Sequence, residues 1–165
     1  NYIDGNVGFC GDRSVYEGDG VSINVQTTYG SFGRFRKNSP IFTCPDISRD
    51  LYSVKTATIG NKALDYPVGL ITYDELVFAG LDRYHTNYFS WVYSTDSYWT
   101  ISPAFYYKNK MASHNWTLIS LGRLDDWGLV TDYYGLRPVI NLKSDVKITG
   151  GTGTANDPFV VDTNN

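Results

Sequence analysis

Apolar positions in this chain fall in short runs, and two of those runs define its frame. Tyr134-Gly135-Leu136-Arg137-Pro138-Val139-Ile140-Asn141-Leu142 reads as a buried strand entered through a turn. Gly135 would supply positive-φ freedom at the entry. Pro138 has no N–H to donate and belongs at a strand start or on an edge. Arg137 beside such a run predicts a carboxylate partner or capped carbonyls. The second run, Val68-Gly69-Leu70-Ile71, reads as a short buried strand that leads directly into the best helix signature of the chain. Thr72 followed by Glu75 makes a capping box. Asp74 and Glu75 suit the positive end of the helix dipole, Leu76, Val77 and Phe78 give an apolar face, and Gly80 closes the helix. Helix is therefore predicted over about residues 72–79, with Asp74 and Glu75 assigned to capping rather than to catalysis.

The remaining pattern predicts strands and loops. Val15 to Asn24 reads as an exposed loop with a turn at Gly18-Asp19-Gly20. Tyr29 to Phe35 alternates aromatic and small residues, which predicts an irregular strand with its rings inward and glycines at close backbone approaches. Pro40 to Pro45 reads as a short strand, Asp46 to Asp50 as a polar turn, and Leu51 to Lys55 as an alternating strand. Tyr98 to Pro103 reads as a strand stopped by its proline, and Phe105 to Lys110 as exposed. Trp116 to Gly122 reads as a strand, Leu124 to Gly128 as a loop, and Pro158 to Val161 as a last strand. One helix among many short strands and long loops gives an α+β class.

Composition then narrows the function. The chain has 165 residues, enough for one domain. It divides into N-terminal loops and strands (residues 1–45) and a core that follows (46–165). A net charge of −3 with scattered basic residues gives no footprint for nucleic acid. No run is long and apolar enough for a membrane span, so membrane attachment would require a segment before Asn1. Cys10 and Cys44 sit in loop-like surroundings, and with only two histidines, His85 and His114, they make a poor zinc site. A disulfide is the preferred reading and implies an oxidising, extracytoplasmic setting; two free thiols are the alternative. The Gly150–Gly153 run lacks the lysine and helix of a phosphate loop. Ser102 and Ser120 sit in no nucleophile elbow, and Asp125-Asp126 lacks the spaced oxygens of a calcium loop. No catalytic constellation, metal site or cofactor is expected.

What stands out is the segment before the closing strand. With 14 Tyr, 4 Trp and 8 Phe, the chain favours rings that carry a polar handle. Such rings give large contact area at low entropy cost, and Ser, Asn and Asp add adaptable hydrogen bonds. Trp91 and Trp99, in strand-like context, are expected in the core. Tyr106, Lys108, Trp127 and Tyr133, flanked by polar residues and turns, are expected at the surface.

Several motifs in combination resemble a known family. They are Phe9-Cys10-Gly11-Asp12-Arg13-Ser14, Phe42-Thr43-Cys44-Pro45, Tyr66 to Thr72, Tyr98 to Pro103, Gly135 to Leu142 and Gly150 to Phe159. Together they resemble the C-terminal domain of pilin-like surface proteins of Gram-positive gut bacteria, which carry a prepilin-type N-terminal segment. The Gly-Leu-Arg-Pro-Val pattern is also similar to the end of the C-type-lectin-like fold, which includes variable proteins of diversity-generating retroelements. The resemblance implies a C-type-lectin-like fold and a cell-surface location. It also implies a variable display segment from Ala104 to Tyr133 that binds a protein or other surface ligand. The residues it places in that site are Tyr106, Lys108, Lys110, His114, Trp116, Arg123, Asp125, Asp126, Trp127, Thr131 and Tyr133. Cys10 and Cys44 do not match the C-terminal cysteines of the enzymes of that fold, and the Glu-Pro-Asn and Trp-Asn-Asp motifs of calcium-dependent lectins are missing, so neither activity carries over. A structural reading stands beside this one: a pilin subunit whose surface contacts other pilin subunits.

Overall fold

The structure is a computed structural model. It describes residues 2–20, 22, 24–107, 112–119, 121–154 and 156–162. The described residues form an α+β fold of short helices and antiparallel strands. In chain order these are β1 (Phe9–Cys10), β2 (Val15–Glu17), β3 (Thr27–Tyr29), α1 (Gly30–Lys37), α2 (Ile47–Asp50), β4 (Leu51–Tyr52), β5 (Gly69–Leu70) and α3 (Tyr73–Phe78). There follow β6 (Tyr98–Tyr107), β7 (Ala112–Ile119), β8 (Arg123–Leu129), β9 (Pro138–Val139), β10 (Ile148–Gly150) and β11 (Val160–Val161). A five-stranded sheet in the order β2-β3-β6-β7-β8 is the frame, and β1-β4, β5-β9 and β10-β11 are separate two-stranded pairs.

Helix α1 lies where alternation predicts a strand. Tyr29, Phe32 and Phe35 recur every third residue, which fits a helix face as well as a strand fits the same letters. Tertiary contacts decide between the two. Phe32 and Phe35 pack on Trp116 with ring centroids 6.4 and 5.4 Å away. Gly33 lies against the Tyr16 ring so closely that a Cβ there would stand 2.4 Å from its Cδ2. The helix lacks a side-chain N-cap. Arg34, Arg36 and Lys37 in its last turn complement the negative end of its dipole.

Helix α3 forms as its sequence predicts. The Thr72 side chain accepts from the Glu75 amide, and Glu75 reaches back to the Thr72 amide, completing the capping box. Ala79 is the C-cap, and Gly80 follows it with φ of 85°. Asp74 does more than complement the dipole, because it is buried and paired with Arg34. The guanidinium donates from Nε and Nη2 to the two Asp74 oxygens, both at 2.7 Å, and from Nη1 to Asp12 Oδ2 at 2.7 Å. Asp74 Oδ1 also accepts from the Ile41 amide at 3.1 Å. Burial works against the charged guanidinium, but the bonds to Asp74 and Asp12 outweigh it and raise the Arg34 pKa.

Trp116 is the centre of the core. It is fully buried among Ile71, Tyr73, Leu76, Phe105 and Leu124. Its Nε1 donates to Ser31 Oγ at 2.9 Å, and Ser31 Oγ donates in turn to the Pro103 carbonyl. Strand β6 does not stop at Pro103. Its partner β3 pairs only with Phe105 and Tyr106, and its pairing with β7 shifts register on both sides of the proline. Pro103 therefore stands where the ladder is already broken, a place that tolerates a missing N–H.

Other expectations are revised. Leu124 to Gly128 is strand rather than loop, and Phe105 is buried rather than exposed. Pro40 to Pro45 carries no strand, while Val15–Glu17 does. The closing stretch forms only the two-residue β9, with Leu136 and Ile140 exposed, so it is an edge and not a buried strand. Gly135 has no positive φ; its place is a close approach, 3.2 Å from a Cβ there to the Ser97 carbonyl oxygen. Arg137 caps carbonyls as expected, donating to Val92 O at 2.6 Å and Trp91 O at 3.4 Å. Cys10 and Cys44 form the disulfide, with Cα atoms 5.6 Å apart.

Removing one partner of a buried ion pair leaves the other uncompensated. Arg34→Met, which strands Asp12 and Asp74, is expected to destabilise the fold by about 3–5 kcal/mol in urea titrations at neutral pH. Arg36→Met breaks only an exposed 4.0 Å pair with Glu17 and should change stability by less than about 0.5 kcal/mol.

Candidate binding site

Strand β8 is the outer strand of the five-stranded sheet, and an outer strand normally offers unpaired amides to any passing chain. Here three amides along it are occupied. The Leu124 amide donates to the Asp82 carbonyl at 2.9 Å. The Trp127 amide donates to Asp125 Oδ1 at 3.1 Å, and the Leu129 amide to Asp132 Oδ2 at 2.9 Å. A ligand meeting this edge would be read by side chains and not by strand addition.

Those side chains are set by a register shift. Asn115 pairs with Gly128 and Thr117 with Asp125, so Asp126 and Trp127 together stand opposite Trp116. The bulge puts Trp127 beside the core rings. Its ring lies edge-on to Phe105 at 6.0 Å and stacks at 6.2 Å on Tyr107. Phe105 in turn packs on Phe32 at 5.7 Å. A continuous path of rings thus runs from the core to Trp127, which is half exposed. After β8 a tight turn, closed by the Asp132 amide on the Leu129 carbonyl at 2.8 Å, exposes Val130 and Thr131. Tyr133 follows, fully exposed.

The sequence-derived site residues separate into groups. Trp127, Thr131 and Tyr133 are exposed, and Tyr106, Arg123 and Asp125 are half-buried. Arg123 and Asp125 lie on β8 with Trp127, and Tyr106 lies across the sheet on β6, paired with Thr27 of β3. His114 is on β7, opposite Phe105. Lys108 and Lys110 lie outside the described residues. Two members are corrected. Trp116 is the core ring itself and touches no surface, because its side of β7 faces α1 and α3. Asp126 is also buried, and its Oδ2 pairs with Arg83 Nη1 at 2.8 Å. Arg83 lies over the Phe35 ring at 5.5 Å, which seats the pair against the core. Asp126 Oδ1 is buried with no partner among the described residues. Burial pushes the Asp126 carboxyl above the ordinary carboxylate range, with Arg83 pulling the other way.

Exposed rings also occur ahead of the Ala104–Tyr133 segment. Tyr84, Tyr88, Phe89 and Trp91 project from the connection between α3 and β6. That connection is anchored at buried Val92, whose carbonyl accepts from Tyr98 Oη at 2.7 Å and from Arg137. Trp91, expected in the core, is 62% exposed. The signal was present in Asp82, which accepts from the Tyr84 and His85 amides, each at 2.6 Å, and so marks a turn instead of a strand. Among models of protein families, curated proteins and solved structures, none matches this chain.

A carboxyl whose folded-state pKa is raised contributes stability at pH below its unfolded value and loses that contribution as pH rises through the folded value. Asp126→Asn is therefore expected to gain stability relative to the parent as pH rises from about 4 to 7. Urea midpoints of both proteins across that range check it; a constant difference would show that Asp126 does not titrate this way.

Proposed function

We propose that this chain is an extracellular ligand-binding display module with a C-type-lectin-like fold, carried on a pilin-like surface protein. Its ligand is a protein or another surface molecule. The observation that carries the reading is the edge at β8. Trp127, Thr131 and Tyr133 are exposed on a strand and turn where the Leu124, Trp127 and Leu129 amides already have acceptors, so their identities can change without unfolding the sheet that holds them. Arg123 and Asp125 flank Trp127 on the same strand and add charge of both signs. Rings with polar neighbours on a rigid support are the composition expected of an adaptable binding surface. The Cys10–Cys44 disulfide is compatible with a location outside the reducing cytoplasm.

Sequencing the same locus from many related isolates tests this. Substitutions are expected to concentrate between Ala104 and Tyr133, at codons rich in adenine in a nearby template copy. Within that segment they should fall on Arg123, Asp125, Trp127, Thr131 and Tyr133 and spare Phe105, Trp116 and Asp126. An even spread along the chain would favour a structural pilin subunit whose surface makes filament contacts. In the protein itself, Trp127→Ala should leave stability within about 1 kcal/mol, whereas Trp116→Ala should cost about 3–5 kcal/mol; both are read from urea unfolding.

A further inference from the structure

A groove of about 920 Å³ lies away from β8, and none of its described lining residues falls between Ala104 and Tyr133. Its lining includes Ile41, Phe42, Thr43, Cys44 and Ile47 from the loop before α2, and Trp91 and Ile140 from two other stretches. Phe42 is 72% exposed and stacks on Phe78 of α3, with centroids 3.9 Å apart and planes 12° from parallel. Trp91 is also largely exposed, and Ile140 about half exposed. The loop before α2 is held from both sides. Cys44 is bonded to Cys10, and the Ile41 amide is bonded to Asp74. The concavity is therefore preformed, as ligand sites generally are.

Its lining carries an unbalanced charge. Among the described lining residues Arg34 is the one cation, and Asp12, Asp74 and Glu75 are the anions. Arg34 is already engaged with Asp12 and Asp74. Glu75 stands exposed on the rim, with Oε2 bonded to Thr72. Apolar walls with a net negative lining call for a ligand that is apolar along its length and bears a cation. The rim decides its size. A small amine held on the charged lining would leave Phe42 and Trp91 in water, whereas an extended chain lying along the groove would cover both.

We propose that this groove docks an extended protein segment in which a single lysine or arginine is flanked by apolar side chains, the cation approaching Glu75 and the apolar residues packing between Phe42–Phe78 and Trp91. This site is independent of the β8 surface. Charge complementarity of this kind selects the partner, while the buried rings supply the affinity.

Random dodecapeptides displayed on phage, selected on the parent protein, test the assignment. Enriched peptides are expected to carry one Lys or Arg between apolar residues. Synthetic copies should lose about tenfold or more in affinity for the Phe42→Ser/Trp91→Ser double variant. They should lose about threefold or more for Glu75→Gln, which keeps a capping box because Gln serves in that position. They should bind Trp127→Ala as they bind the parent. Three outcomes overturn the proposal: no enrichment beyond that on the double variant, enriched peptides without a cation that bind Glu75→Gln unchanged, or affinity lost on Trp127→Ala instead.

Discussion

One guanidinium between two buried carboxylates fixes how this fold is assembled. Arg34 belongs to α1, Asp74 to α3 and Asp12 to the loop between β1 and β2. Through Asp74 it also holds the loop at Ile41, and through Asp12, which accepts from the Ser14 amide, it orders the approach to β2. These segments are far apart in sequence and have little regular structure of their own. A buried ion pair seldom adds net stability over apolar packing, but it tolerates few other arrangements. Its part here is to choose one relative placement of two helices and two loops, after which the rings of α1 close over Trp116 and the groove beside the disulfide takes its shape.

The parts of the fold legible in the sequence were those set by local chemistry. The Thr72–Glu75 box, Gly80 after its helix, the Cys10–Cys44 bond and the carbonyl-capping role of Arg137 each follow from a few neighbouring residues. What misled was periodicity without context. Tyr29, Phe32 and Phe35 fit a strand or a helix, and only their contact with Trp116 separates the two. Pro103 reads as a strand stop unless one knows that β3 ends before reaching it. Leu124 to Gly128 reads as a loop because a charged pair and a glycine sit in it, yet Asp126 turns inward to Arg83, a partner far away in the chain.

The binding surface was legible in the same uneven way. Trp127 and Tyr133 could be placed outside from their polar neighbours, whereas Tyr106, read the same way, is half-buried. Trp116 could not be told from them by composition, since an exposed tryptophan and a core tryptophan use the same letter and differ only in what covers them. The groove was invisible for another reason. Its walls come from the N-terminal loops, α3 and the stretch around β9, and no single stretch of sequence carries them together.

The bulge opposite Trp116 makes substitution and length unequal in this segment. Asp126 and Trp127 share one partner position, and that shared position leaves Asp126 on Arg83 and Trp127 over Phe105. Because successive strand residues point to opposite faces, inserting or deleting one residue in β8 would exchange inward and outward positions along it. An aspartate bonded to the core would then give way to a residue with no fit there. The segment can accept many alphabets at its outward positions, but only one count of letters.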